Sequence, residues 1–127
     1  MTQVLLIPVK SNHEKLQKIV ELAKSHFDRN EALTFYVEGQ AALEYIDKLL
    51  WSQPVDSFLP HDGELITITD KIPTSGKSIF NLTSKPLIEK SSGVVYEFDD
   101  QSSSHKQEAF KMRYHAYKRA NFAIALL

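Results

Sequence analysis

Apolar positions in the first half of the chain switch between two spacings, and this switch predicts alternating strands and helices. Residues 3–9 form a compact run of β-favouring residues, which predicts a strand. Apolar residues then recur at three- and four-residue steps. They predict a helix that begins at residue 14 or 15, behind a cap at Ser11 or Asn12. The apolar stripe of this helix consists of Leu16, Ile19, Val20, Ala23 and Phe27.

The same pair of signals follows a second time. Residues 32–37 predict a strand, Gly39 interrupts it, and residues 41–50 predict a second helix. Strands that alternate with helices at this spacing are typical of a parallel sheet with right-handed crossovers.

Shorter strands are predicted in the middle of the chain, over residues 65–69, 78–82 and 94–98. Too few residues separate the first two for a helical crossover. We therefore expect them to pair antiparallel across a turn at residues 76–78.

A last helix is predicted over residues 105–120, after a serine cap within residues 102–104. The stripe expected to pack on the sheet consists of Ala109, Met112, Ala116 and Ala120, bordered by Phe110 and Tyr117. The predicted fold is a single three-layer α/β/α domain, residues 1–127, with a mixed, mainly parallel sheet of about five strands.

Composition narrows the chemistry. A chain of 127 residues with 43% apolar and 24% charged residues suits one soluble globular domain. It contains no cysteine, which excludes disulfides, thiolate nucleophiles and cysteine-bound metal centres. The lack of cysteine, and of a signal-peptide or membrane-spanning run, favours a cytoplasmic location.

Motifs for catalysis are incomplete. Gly76-Lys77-Ser78 resembles the end of a phosphate-binding loop, but Lys71 stands where the first glycine is required, and a strand follows instead of a helix. Asp99 and Asp100 would point to opposite faces of a strand, so we interpret them as a solvated strand end. We expect a nucleotide-binding-like topology without its phosphate loop, and no enzymatic activity, cofactor or metal.

Positive charge is concentrated late in the chain, although the net charge is −1. Residues 105–119 include five Lys or Arg and one Glu. Lys111, His115 and Lys118 follow one another at steps of four and three, so they share a helix face, with Tyr114 beside them. This face suits either a protein-binding ridge or an ordinary solvated surface.

A second feature follows the second predicted helix. Trp51, the only tryptophan, and Phe58 flank a loop that prolines stiffen. Large aromatic side chains on rigid backbone are good anchors for a partner, because little entropy is lost on binding. The alternative is that both rings fill the bottom of the core.

Two segments resemble signatures of the chi subunit of bacterial DNA polymerase III. Residues 50–61 match the loop pattern Leu-Trp-x-x-Pro-x-x-Ser-Phe-x-Pro-His. Residues 113–122 are similar to the pattern Arg-Tyr-(Lys)-x-Tyr-(Arg)-x-x-Gly-Phe, with Asn121 in place of the glycine. Chi-like proteins bind the acidic C-terminal tail of single-stranded-DNA-binding protein (SSB), and they bind the psi subunit of the clamp loader.

The resemblance implies a non-catalytic adaptor of the replisome whose contact with DNA is mainly indirect. An acidic tail that ends in an aromatic residue and a free carboxylate requires an apolar socket with cations at its rim. The implied tail-binding residues are Trp51, Phe58, Lys111, Tyr114, His115, Lys118 and Phe122. Because Lys111 and His115 stand where the family commonly has arginine or another basic residue, we expect tail binding to depend on salt and pH.

Two other functions stay open at this point. The basic helix could bind nucleic acid, with cations on phosphates and Tyr114 stacked on a base, although the net charge is close to zero. A nucleotide-dependent enzyme is a further alternative, which the missing phosphate loop disfavours. A helicase could also replace psi on the same surface.

Overall fold

A computed structural model describes residues 2–52, 65–73, 78–89 and 93–127, and it describes the backbone alone at Trp51 and Ser52. Strands and helices alternate along this part of the chain. Their bounds are β1 (Thr2–Val9), α1 (Asn12–Asp28), β2 (Leu33–Tyr36), α2 (Gly39–Ser52), β3 (Ile66–Thr69), β4 (Ser78–Asn81), β5 (Gly93–Asp100), α3 (Ser104–Arg119) and β6 (Ala123–Leu126).

The strands form one open sheet in the order β3-β2-β4-β5-β1-β6, and every pairing is parallel. The sheet has helices on both faces, which confirms the predicted three-layer α/β/α class. Two details differ from the prediction. The described strands make an all-parallel rather than a mixed sheet, and they number six rather than five.

The predicted antiparallel pair is wrong, because β3 and β4 lie on opposite sides of β2. Each has four residues, so the chain has to return only roughly 13 Å along the sheet and about 10 Å across it. Residues 70–77 are enough to span that distance in extended form. A parallel crossover therefore needs no helix when the strands are this short. The predicted turn at residues 76–78 falls largely outside the described residues.

The additional strand, β6, occupies the edge of the sheet beside β1. Its sequence, Ala-Ile-Ala-Leu, carries the signal of a short apolar strand. The prediction missed it because β6 begins four residues after α3 ends.

Helix α1 begins at Asn12, earlier than predicted, because its polar start is well capped. The Ser11 Oγ accepts a hydrogen bond from the Glu14 backbone N–H at 3.1 Å. The Glu14 carboxylate in turn accepts one from the Lys10 N–H at 2.8 Å. The first bond satisfies an amide that a helix start leaves without an intrahelical acceptor, and the second ties the residue before the cap to the first turn.

Each face of the sheet supports its own apolar core. Helices α1 and α2 cover one face, on side chains that include Ile19, Ala23, Ile46 and Leu50. Helix α3 covers the other face, where Tyr117 packs with Val4, Ile79, Leu87 and Val95. No helix in the described ranges is long and apolar enough to cross a membrane.

The predicted buried stripe of α3 is wrong in part. Met112 is 73% exposed and Ala120 is exposed, whereas Arg113 and Tyr117 are buried. The helix is therefore rotated relative to the prediction, and the polar group that causes this rotation lies on β5.

Candidate protein-binding site on the last helix

The orientation of α3 is set by a buried carboxylate on β5. Glu97 points to the α3 face of the sheet and is 1% exposed. Its oxygens accept hydrogen bonds from Arg113 Nε at 3.0 Å, Asn81 Nδ2 at 2.6 Å and Tyr117 Oη at 2.5 Å. A buried carboxylate requires such donors, so α3 turns Arg113 and Tyr117 inward even though alanines are available on a neighbouring face.

The network extends from Glu97 into the segment after β4. The Tyr117 hydroxyl accepts the Leu87 backbone N–H at 2.9 Å. The Asn81 side chain donates to the Lys85 carbonyl and accepts from the Thr83 N–H. The network thus joins β4, β5, α3 and the 82–89 segment into one unit.

Burial dominates the ionisation of this cluster. It raises the pKa of the Glu97 carboxyl to about 7, while Arg113 and the hydrogen-bond donors pull in the other direction. Burial and the neighbouring Glu97 raise the pKa of Tyr117 well above its usual value, so that hydroxyl remains a donor. We interpret the cluster as structural, because its polar groups satisfy one another.

A basic and aromatic ridge lies on the flank of α3 next to this buried side. Lys111, His115 and Lys118 are exposed, and Tyr114 is half-buried. The Lys118 ammonium lies 5.4 Å from the centre of the Tyr114 ring, and the His115 ring is 5.8 Å from it. A cation over an aromatic face is an attractive contact that also fixes the position of the ammonium.

The turn after α3 connects the ridge to β6. Asn121 has a left-handed backbone with φ of 63°. Its N–H bonds to the Lys118 carbonyl, and the Phe122 N–H bonds to the Tyr117 carbonyl. This is the Schellman pattern, in which the residue after the left-handed position packs back on the helix. Phe122 does so, with its ring stacked at 5.6 Å on that of Tyr117.

A shallow cleft of about 540 Å³ opens between α3 and β6. Its lining consists of Tyr114, Lys118, Asn121, Phe122, Ala123 and Ile124. Aromatic and aliphatic side chains here surround the Lys118 ammonium, which forms no ion pair with a carboxylate among the described residues. The cleft therefore suits a ligand with both an apolar side chain and a negative charge.

The structure brings some of the predicted site residues together. Tyr114, Lys118 and Phe122 line one cleft, and Lys111 and His115 lie on the same flank of α3. Helix α2, whose backbone includes Trp51, packs near β3 on the opposite face of the sheet. The side chain of Trp51, and the whole of Phe58, lie outside the described residues, so their part in the site stays a prediction.

Sequence reasoning missed Ile124 and Ala123 as lining residues, because their strand was not predicted. The replacement of glycine at Asn121 was visible in the sequence, and asparagine is the residue that most often substitutes for glycine in the left-handed region. In the described ranges, no group of three or more His, Asp or Glu residues is placed to hold a metal ion.

Comparison with known protein families gives one match. The family described as DNA polymerase III chi subunit, HolC, matches residues 1–125. No curated protein matches the chain.

Proposed function

Since the chain belongs to the DNA polymerase III chi subunit (HolC) family, we propose that it links the replisome to SSB by binding the acidic SSB tail. Membership of this family gives the chain an accessory role in DNA replication. The tail would bind in the cleft between α3 and β6, and the psi subunit would attach the chain to the clamp loader.

The observation that carries this proposal is the meeting of Lys118 with Tyr114 and Phe122 in one cleft. An aromatic residue at the end of the tail would enter between the rings and Ile124. Its carboxylate would pair with the Lys118 ammonium, and acidic residues before it would meet Lys111 and His115. Such charge-assisted contacts are stronger than neutral hydrogen bonds.

Trp51 and Phe58 enter the proposal as residues to be tested. The sheet is roughly 24 Å wide between its edge strands, as expected for five strand spacings. Helix α2 lies near the β3 edge, while α3 lies near the β6 edge on the other face. Trp51→Ala is therefore measured beside Lys118→Ala. A loss of tail affinity would include Trp51 in the site, and an unchanged affinity would place it outside. We assign psi to no particular residues.

Calorimetry with a synthetic SSB tail peptide tests the proposal. We expect Lys118→Ala to weaken binding about fivefold to tenfold, because a charge-assisted contact at a partly desolvated rim is lost. Lys24→Ala, an exposed lysine of α1, is the matched control and should bind like the wild type. Equal affinity of wild type and Lys118→Ala would place the tail elsewhere.

A competition experiment distinguishes tail binding from direct nucleic-acid binding by the same ridge. The tail peptide should bind equally well in the presence of a single-stranded oligonucleotide. Displacement of the peptide by the oligonucleotide would favour the basic helix as a nucleic-acid site.

A further inference from the structure

A second and more enclosed cleft lies at the other end of α3, roughly 20 Å from the proposed tail site by helix length. It has a volume of about 460 Å³, which is in the range of small-molecule sites. Residues of α1, α2, α3 and the 82–84 segment line it. It shares no lining residue with the cleft between α3 and β6.

The topology of the sheet places this cleft at a switch point. Strands β1 and β5 are neighbours. The chain leaves β1 through α1 on one face of the sheet, and it leaves β5 through α3 on the other face. The crevice between the carboxyl ends of two such strands is where open parallel sheets bind ligands.

The walls of the cleft are mainly apolar. Leu16 of α1, Ile46 of α2 and Leu82 form part of them. Tyr45 belongs to the same lining and is 55% exposed, so its ring is available to stack on a planar ligand. An aromatic ring system fits this lining better than a polar chain does.

Two exposed basic side chains line the cleft. Lys106 and His105 form no ion pair or side-chain hydrogen bond among the described residues, although Lys106 lies near enough to Glu38 to help lower the pKa of that carboxyl. They lie in the first turn of α3, where the helix dipole adds positive potential, although the Lys106 N–H itself bonds to Ser103 Oγ.

The carboxylates that line the cleft already have partners. Burial opposes the ionisation of Asp100, but bonds from Lys15 at 2.8 Å and from Ser102 outweigh it and lower the pKa of its carboxyl. The Ser84 N–H bonds to Glu38 and lowers the pKa of that carboxyl. Among the described residues Lys15 donates one hydrogen bond, to Asp100, and an ammonium group has three hydrogens to donate.

We propose that this cleft binds a nucleoside monophosphate. The base lies against Tyr45 and the apolar wall, and the phosphate lies at Lys106 and Lys15, beside the start of α3. Side chains hold the phosphate in place of a glycine-rich loop. The site binds without catalysing a reaction, and it works independently of the tail cleft.

The test is a titration of the isotope-labelled protein with adenosine 5′-monophosphate, followed by amide chemical shifts. Adenosine and inorganic phosphate serve as half-ligands, and each should bind at least about fivefold more weakly than the whole nucleotide. The shifts should centre on residues 12–16, 42–46 and 105–109. A 5′-phosphorylated oligonucleotide distinguishes a free nucleotide from the end of a nucleic-acid chain, because both present the same chemistry.

Two surface variants locate the contacts. Lys106→Ala should weaken nucleotide binding about fivefold through loss of a charged phosphate contact, and Tyr45→Ala should weaken it similarly through loss of stacking. Lys24→Ala should bind normally. Absence of shifts at millimolar nucleotide, or shifts that neither variant alters, would overturn the proposal. The SSB tail should not compete with the nucleotide, so failure of either site leaves the other intact.

Discussion

Asn121 shows how one residue allows a helix to end and a strand to begin. Helix α1 ends in the same way, with Asn30 at φ of 57° and the Glu31 N–H bonded to the His26 carbonyl. Both helices therefore use asparagine where glycine is the commoner residue. Asparagine tolerates the left-handed region because its short polar side chain can bond locally.

We expect Asn121→Gly to leave the free energy of unfolding almost unchanged, since glycine accepts the same backbone angles. Asn121→Val should cost about 1–2 kcal/mol, because a β-branched side chain is strained at positive φ. Urea denaturation of the two variants makes the comparison. A valine variant as stable as the glycine variant would show that the turn adopts another conformation.

The Glu97 carboxylate gives a second prediction at the residue scale. Glu97→Gln keeps the size of the side chain but replaces one acceptor oxygen with an NH2 group, so buried donors that bond to Glu97 lose an acceptor. We expect a loss of about 1–3 kcal/mol in the free energy of unfolding. The double variant Glu97→Leu, Arg113→Met should recover much of this loss, because no charge stays buried.

Glu108→Gln, an exposed change on α3, is the matched control and should be neutral. A Glu97→Gln protein that unfolds like the wild type would contradict the structural importance of the ion pair.

The sequence did not predict the role of Arg113, for a physical reason. Its position on a cation-rich helix is typical of a surface residue, and the partner that draws it inward is sixteen positions away on another element. The spacing of apolar and polar residues indicates which face of a helix is buried. It does not show which residues from other elements the fold brings close to that helix. Lys111 and Lys118 were predictable as exposed, because their helical spacing places both on a charged flank of α3.

At the scale of elements, the first two strand–helix pairs were predicted well because spacing and caps agree there. The predicted pairing of β3 with β4 is wrong because the prediction did not ask how far the chain must travel back between two parallel strands. For strands as short as these, that distance is small enough for a segment without a helix. The prediction missed strand β6 because a four-residue apolar run after a helix is weak evidence for a strand by itself. Two of the six residues that line the candidate cleft, Ala123 and Ile124, belong to β6, so the sequence did not predict them as part of the site.

The three serines around the start of α3 allow a sharp test of where this helix begins. Ser102 bonds to Asp100, Ser103 Oγ accepts the Lys106 N–H at 3.2 Å, and Ser104 is the first helical residue. We expect Ser103→Ala to cost about 1 kcal/mol in the free energy of unfolding. Ser104→Ala, the neighbouring control, should change it by less than about 0.5 kcal/mol. Equal effects in thermal melts would mean that the cap is shared.

At the scale of the whole molecule, a buried histidine ties stability to pH. His26 is 1% exposed, with Nε2 2.8 Å from the Tyr96 hydroxyl and Nδ1 3.2 Å from the Glu31 carbonyl. Burial lowers the pKa of His26 below its usual 6.5, with nearby Arg29 acting in the same direction and Glu31 opposing it. The unfolded chain therefore binds a proton at His26 more readily than the native protein does.

It follows that the His26 contribution to stability is complete above pH 6.5 and declines as the pH falls below that value. We expect the wild type to lose more stability between pH 7.5 and pH 5.5 than His26→Gln, whose side chain does not titrate. Urea denaturation of both proteins at the two pH values measures the difference. Parallel losses would assign the pH dependence to other groups.

The position of β1 has a consequence for how the protein is made. This first strand takes its hydrogen bonds from β5 on one side and β6 on the other. A ribosome releases β1 long before either neighbour exists. The emerging chain must keep an apolar strand unpaired until residues 93–126 have left the exit tunnel. Pairing of β1 therefore depends on contacts between residues that are far apart in the sequence, which slows folding and leaves an apolar strand unpaired in the meantime.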